Sequence, residues 1–445
     1  MLVSAIKATF IARVEVMPPS LVHVSDIHFG SGESHGRVNP VTGLNIRFED
    51  FVLALSKVVD HAIEHQVDIF LFSGDAYRNA SPEPVYQKMF ARQLRRLSQA
   101  DIQTILVVGN HDQILRSTSS HSLSVFQSLE VPGVIIVDQP VFTRIETKNG
   151  PIQLIGLPHL TKHQLMTLDK YSDKTAKELD RILVEHVRLL LAGYYQQLDP
   201  DIATVVTAHM TVDTATAGIE EELLIGYTQT FPTDIFINPK VDYVALGHVH
   251  KFQTIKQNNP IIVYSGSLER VDFGEESQDK GFVHVDLVRN ATTWRFESIA
   301  PRPFITLDLD VTKSEDPTGD LVKKIQSGIL PGCVLRLRYK IDQSQLPDLR
   351  EDLLRKASAA ALSSRFIPEI VVSHSRARLP QLNESVVSSP MVALDTYLAE
   401  IAPEKKERLM SKAREIMNEI SLELDGENGA RQKEDRTLEP GLKNS

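Results

Sequence analysis

The chain has 445 residues, with 48 Lys and Arg against 58 Asp and Glu, for a formal net charge of −10. That length allows two to four domains with sizeable cores, and 42% hydrophobic with 24% charged residues excludes a wholly disordered chain, a collagen-like repeat or a coiled-coil rod. The single cysteine, Cys333, excludes an intrachain disulfide and a thiolate metal cluster, and it points to a reducing, cytoplasmic compartment.

The opening Met1–Ser20 is mildly apolar, but Lys7, Arg13 and Glu15 interrupt it, so it reads as an N-terminal extension and not as a signal peptide. No run of about 18 uncharged apolar residues suggests a membrane span. From Leu21 a pattern repeats: a short apolar run, a polar or glycine-containing stop, then an amphipathic helix. Leu21–Val24 is the first such run, followed by Phe48, Phe51, Val52, Leu55, Val58, Val59, Ala62 and Ile63 at helical spacing. Strands are expected over Val67–Phe72, Thr104–Val108, Ile152–Leu157, Ala203–Thr207, Tyr243–Leu246 and Ile261–Tyr264, with a helix at Pro84–Gln99. Such near-continuous apolar strands belong to sheets covered on both faces.

Past Pro301–Pro303 the character changes. Strands over Phe304–Val311, Val334–Ile341 and Ile367–Ser373, with helices over Thr318–Gln326 and Leu346–Leu362, make a small β-α-β-α-β unit. Arg336, Arg338 and Lys340 alternate along one of those strands, so they share a face open to DNA or simply to solvent. Two helices with apolar stripes follow, Met391–Ile401 and Glu404–Leu424, and the polar stretch from Asp425 reads as disordered.

The hydrophilic clusters fall in one kind of place. Asp26 and His28 follow the first strand, Gly74-Asp75 the second, and Gly109-Asn110-His111-Asp112 the third. His209 ends the Ala203 strand, and Gly247-His248-Val249-His250 the Tyr243 strand. Carboxyl ends of strands in open α/β architecture converge on one crevice. Carboxylate, imidazole and amide oxygen without sulfur suit hard-to-borderline divalent metals. An i, i+2 pair in extended backbone leaves the same face, which lets Asp26 with His28, and His248 with His250, reach one ion or an adjacent pair. Gly74 and Gly247 give the backbone room to turn. A lone histidine is usually a core or surface residue, and His23, His61, His65, His121, His159, His163, His186, His284 and His374 are read that way.

Together the five clusters resemble the signature of the calcineurin-like metallophosphoesterases. Leu21–Gly30, Phe70–Asp75, Val107–Asp112, Ala208-His209 and Tyr264-Ser265-Gly266-Ser267 resemble more narrowly the SbcD-type nucleases of DNA double-strand-break repair, over roughly Leu21–Asp286. The resemblance implies an α/β fold: a β-sandwich core flanked by helices (21–300), a small α+β capping domain (301–380), a helical SbcC-binding segment (381–425) and a disordered tail (426–445). It further implies a metal-dependent exonuclease, with structure-specific endonuclease action on double-strand ends and hairpins, using two divalent cations, manganese before magnesium. Asp26, His28, Asp75 and His250 would hold one ion. Asp75 would bridge to a second, held also by Asn110, His209 and His248. His111 would protonate the leaving oxygen, and Asp112 would orient His111. Arg78, where some relatives carry a histidine, is a DNA-contact candidate, with Arg37 and Arg116 behind it. The implied partners are DNA and an SbcC-like SMC-type ATPase, in a complex built on a homodimer of this chain. The alternatives are a small-molecule phosphodiesterase of the same superfamily and a non-catalytic scaffold that tethers DNA ends.

Overall fold

The computed structural model describes residues 17–113, 120–161, 171, 173–216, 229–372, 390–401 and 403–417. Arg116, the first sixteen residues, the stretch after Val372 up to the first of the late helices, and the tail lie outside them. Strands run over Ser20–Val24 (β1), Ile69–Phe72 (β2), Gln103–Val107 (β3), Val134–Val137 (β4), Val141–Thr147 (β5), Gly150–Leu157 (β6), Thr204–His209 (β7), Thr211–Val212 (β8), Thr230–Phe231 (β9), Tyr243–Gly247 (β10), Gln253–Lys256 (β11), Ile261–Tyr264 (β12), Gly281–Asp286 (β13) and Thr293–Ser298 (β14). Two six-stranded sheets result, β14-β13-β1-β2-β3-β4 and β11-β12-β10-β7-β6-β5. In each, four neighbouring strands are parallel: β1 to β4 in the first, and β12, β10, β7 and β6 in the second.

Alternation along each strand builds the layers. Leu21, Ile69, Leu71, Ile105 and Val107 of the first sheet share a core with Leu154, Val205, Tyr243, Ala245 and Val263 of the second. The opposite face of the first sheet, with Val22, Val24, Phe70, Phe72 and Leu106, packs on two helices, Ile46–Glu64 (α1) and Pro84–Gln99 (α2). Asn45 caps α1 by accepting from the Arg47 amide, and Pro84 occupies the first turn of α2, where its missing amide is harmless. After a short helix at Ser124–Ser128 (α3), the long helix Ala176–Gln197 (α4) starts at a Thr175–Glu178 capping box. It covers the second sheet through Leu179, Leu183, Val187 and Leu191. The order helix, sheet, sheet, helix is the β-sandwich that the family resemblance implied.

A histidine stands inside the sandwich. His23 is fully buried on β1, its Nδ1 3.0 Å from the Tyr243 hydroxyl on β10. Burial holds its pKa down at about 3, so the ring is neutral.

The small sheet has the order β15-β16-β17 from Phe304–Asp310 (β15), Val334–Asp342 (β16) and Ser363–Val371 (β17). Pro317–Gly328 (α5) connects its parallel pair β15 and β16. Phe304, Val334 and Leu362 pack on Ile46 and Phe273 of the core. The single helix expected over Leu346–Leu362 is instead a 3₁₀ turn at Gln343–Asp348 and a short helix at Glu351–Ala357 (α6). Pro347 interrupts the first half, and the Leu362 amide is already committed to the Cys333 carbonyl at 2.8 Å, so β17 begins at Ser363 and not at Ile367.

The chain packs as two units, residues up to Ile341 with Pro347–Glu369, and Asp342–Leu346 with the chain from Ile370 onward. In the second, Pro390–Ile401 (α7) and a helix at 406–417 (α8) bury Leu398 and Met410. They leave Tyr397, Leu409, Ile416 and Met417 exposed. Among the described residues, no helix is long and apolar enough to cross a membrane.

Candidate metal centre

The turns after β1, β2, β3 and β10, and the last residue of β7, bring the site together. The turns after β1 and β2 run side by side, with the Asp26 amide on the Gly74 carbonyl at 2.9 Å and the His28 amide on the Asp75 carbonyl at 3.1 Å. Four of the expected ligands sit at positive φ: Asp26 at 53°, His28 at 45°, Asp75 at 63° and His248 at 95°. Their side chains therefore converge through left-handed kinks and not, as the i, i+2 spacing suggested, by leaving one face of an extended strand. Such backbone strain in non-glycine residues persists where the surroundings enforce it and gathers at functional sites. Gly74, at φ 106°, is required twice over, because a Cβ there would lie 2.1 Å from His209 Nδ1. Gly247 is needed for space alone, since a Cβ would meet the Ser73 carbonyl at 2.1 Å.

Donor atoms group in overlapping sets: Asp26 with His28 and His250, His28 with Asp75 and His111, and Asp75 with His209 and His248. His28 Nε2 lies 3.0 Å from His250 Nε2, 3.6 Å from Asp75 Oδ2 and 3.7 Å from Asp26 Oδ1. His209 Nε2 lies 2.9 Å from Asn110 Oδ1 and 3.2 Å from Asp75 Oδ2, and His248 Nδ1 lies 2.9 Å from the same Asn110 oxygen. All seven ligand residues expected from the sequence are in these contacts, with Asp75 between the two halves.

The tautomers make these contacts informative. His209 Nδ1 lies 2.7 Å from the Ser73 carbonyl, and His250 Nδ1 2.7 Å from Glu275 Oε1. Those oxygens only accept, so each Nδ1 carries the hydrogen and each neutral ring turns an Nε2 lone pair into the cluster. His209 Nε2 there meets the Asp75 and Asn110 oxygens, an arrangement that a positive charge among them stabilises, and His250 Nε2 meets His28 Nε2. Neighbouring ligands about 3 Å apart also match cation bonds of about 2.1 Å. Without a metal ion, protons answer the same demand. Burial would lower the pKa of His209, but Asp75 outweighs it and lifts the ring to about 9. Burial likewise opposes His250, yet Glu275 raises it to about 9. For Asp26 and Asp75, burial would raise the carboxyls, and the histidines around them, His28 for the first and His209 for the second, hold both well below the ordinary range. The residues present therefore fit a pair of divalent cations.

His111 sits at the rim, exposed, with its ring edge-on to His28 at 4.9 Å. Its amide donates to Asp75 Oδ1 at 2.9 Å and its Nδ1 to the Arg78 carbonyl at 2.8 Å. Burial against its neighbours lowers its pKa. Asp112 does not touch that imidazole. Its buried carboxylate accepts from the amides of Asp75 at 3.0 Å and Gly109 at 3.1 Å and from Ser122 Oγ at 2.7 Å, so it braces the loops while the Arg78 carbonyl orients His111. The Arg78 side chain is exposed beside the site, and Arg37 is exposed on the loop before α1.

Two features escaped the sequence reading. His159 follows β6, and its ring lies 5.8 Å from that of His248 and 6.0 Å from that of His209. It stands at the carboxyl end of a core strand like the other clusters, a signal that the lone Leu157-Pro158-His159 stop carried too faintly. Glu275, which carries the His250 contact, lies in a loop with no distinguishing pattern.

A family model described as calcineurin-like phosphoesterase matches residues 19–252, just over half of the chain. The chain belongs to that family. Its phosphoesterase relatives include the SbcD component of the nuclease SbcCD from Escherichia coli K12, 23% identical over 82% of this chain and 94% of that protein. The protein of the same name from Staphylococcus epidermidis is 25% identical over 61% of this chain and 66% of its own length. The "DNA double-strand break repair protein Mre11" of Haloferax volcanii is 24% identical over 66% of this chain and 55% of that protein.

Proposed function

We propose that this phosphoesterase is a metal-dependent DNA nuclease of break repair, acting as an exonuclease and on structured ends in the cytoplasm. The observation that carries the chemistry is the facing of Nε2 lone pairs and carboxylates around Asp75. One ion would be held by Asp26, His28, Asp75 and His250, and the other by Asp75, Asn110, His209 and His248, with manganese preferred. Bound there, two such cations supply Lewis acidity toward a phosphodiester and an acidified water. The chain's own groups do the rest. Asp75 fixes the spacing of the two halves. His111, with Nδ1 tied to the Arg78 carbonyl, keeps Nε2 as the nitrogen that hands a proton to the leaving oxygen. An anionic phosphate at the rim raises the His111 pKa against the burial that lowers it. Arg78, and more weakly Arg37 and Arg116, contact backbone phosphates.

The DNA substrate is supported by the overlap with a relative named as a nuclease subunit, along 82% of this chain in the Escherichia coli case, and with one named as a DNA double-strand break repair protein, along 66%. The first relative's complex name supports an SbcC-like ATPase partner. Tyr397, Leu409, Ile416 and Met417 on the two late helices are the docking residues of this reading, and two copies of the chain form the centre of the assembly. The 301–380 segment acts as the cap that limits which DNA enters.

Incubating purified protein with linear duplex and manganese tests the proposal. Shortening of the duplex, lost in His111→Ala, is the expected result. Turnover confined to a small phosphodiester, or no turnover by a protein that binds metal, would contradict it.

A further inference from the structure

The environment of Glu275 goes beyond what packing requires. It ends a 3₁₀ turn at Phe273–Glu275 that Asp272 caps by accepting from the Gly274 amide. The Glu275 side chain is buried, and its two oxygens are divided. Oε1 meets His250 Nδ1 at 2.7 Å, while Oε2 takes Lys280 Nζ at 2.9 Å and the Val271 amide at 3.0 Å. Lys280 is itself fully buried, and its ammonium also donates to the His250 carbonyl at 3.1 Å, Ser267 Oγ at 2.7 Å and Gln278 Oε1 at 2.9 Å. The pair thus grips His250 at both its ring and its backbone.

Stability alone gives no reason for such a pair. Burying two charges is costly, and well-packed apolar residues in their place are often as stable or more so. What the pair does accomplish is geometric. A carboxylate on Nδ1 fixes the tautomer and the ring plane, and it raises the basicity of Nε2. The next residue carries the turn into the small sheet. Glu276 accepts from the Thr306 amide at 2.8 Å and from the Thr306 hydroxyl, and Arg336 of β16 donates to that hydroxyl at 2.9 Å.

We infer that Glu275, locked by Lys280, is a positioning residue that aims His250 Nε2 at the first cation, and that Glu276 sets this aim by the seating of β15. The inference rests on the cation-pair reading above.

Manganese titration of the full chain by calorimetry tests it, with folding followed by circular dichroism. The wild type is expected to take up two ions. In Glu275→Gln, one of the two should bind about 10–100-fold more weakly while the other is unchanged. Glu275→Asp keeps a partner for Lys280 but draws the carboxylate back, and it should show a smaller loss at the same ion. Glu276→Gln, at a partly exposed position, should weaken the same ion least. Wild-type affinity at both ions in a folded Glu275→Gln overturns the inference while leaving the cation pair intact. If Glu275→Gln does not fold, unchanged affinity in Glu275→Asp overturns it instead. A wild type that takes up no ion removes the cation pair itself, and the inference with it.

Discussion

The crevice and the small sheet are both rich in charge, and they handle it in opposite ways. On the small sheet each cation of the Arg336, Arg338 and Lys340 strip already has an anion or acceptor. Arg338 makes a two-point contact with Asp308 at 2.7 and 2.8 Å, and Lys340 pairs with Glu369 at 3.0 Å. Arg336 lies over the Phe273 ring at 4.3 Å and bonds Thr306. In the crevice, lone pairs and carboxylates face one another, and the backbone holds left-handed strain to keep them there. A satisfied network is structure, whereas a network that calls for an added positive charge is a binding site. The alternating basic strip seen in the sequence is of the first kind, so it is not a ready track for DNA.

The largest expected effect comes from removing the group common to both halves of the crevice. Asp75→Asn should cut nuclease turnover by at least about 10³-fold, measured on linear duplex at saturating manganese. Turnover near that of the wild type would erase the distinction. His111→Ala should retain both ions and lose about 10²–10⁴-fold. If metal uptake fell along with turnover, His111 would be a ligand and not a proton donor.

Acid sharpens the contrast from the side of stability. Neutral His23 has its pKa lowered to about 3, so below pH 6.5 the unfolded chain binds a proton there that the folded chain refuses. Stability is therefore unaffected above pH 6.5 and falls as pH drops from 6.5 toward 3, by up to about 1.4 kcal/mol per pH unit for this one group. Urea unfolding between pH 7 and pH 5.5 should show that slope, and His23→Gln should flatten it. The smallest effect belongs to the paired strip. Arg338→Ala, at an exposed ion pair, should leave stability nearly unchanged, with DNA affinity and its salt dependence unchanged as well. A lowered salt slope would show that the strip does meet phosphates.

Much of this was readable in advance, for a physical reason. Strand periodicity and helix faces are local, so the Leu21–Val24, Val67–Phe72 and Tyr243–Leu246 runs announced strands of covered sheets, the family resemblance implied the sandwich, and polar residues at the strands' carboxyl ends announced the crevice. What sequence spacing could not carry was backbone conformation. Asp26 and His28 converge through positive φ, which no i, i+2 rule contains. Nor could it carry contacts made by chance of topology. Glu275 reaches His250 across a loop, the Arg78 carbonyl replaces Asp112 as the holder of His111, and Pro347 breaks a helix that periodicity alone would have continued.

Counting ions is the most direct test of the central claim. After equilibrium dialysis against manganese, elemental analysis should find two per wild-type chain and fewer than two in Asp75→Asn. A wild-type chain that retains none, or an Asp75→Asn chain that still retains two at unchanged affinity, would contradict the account.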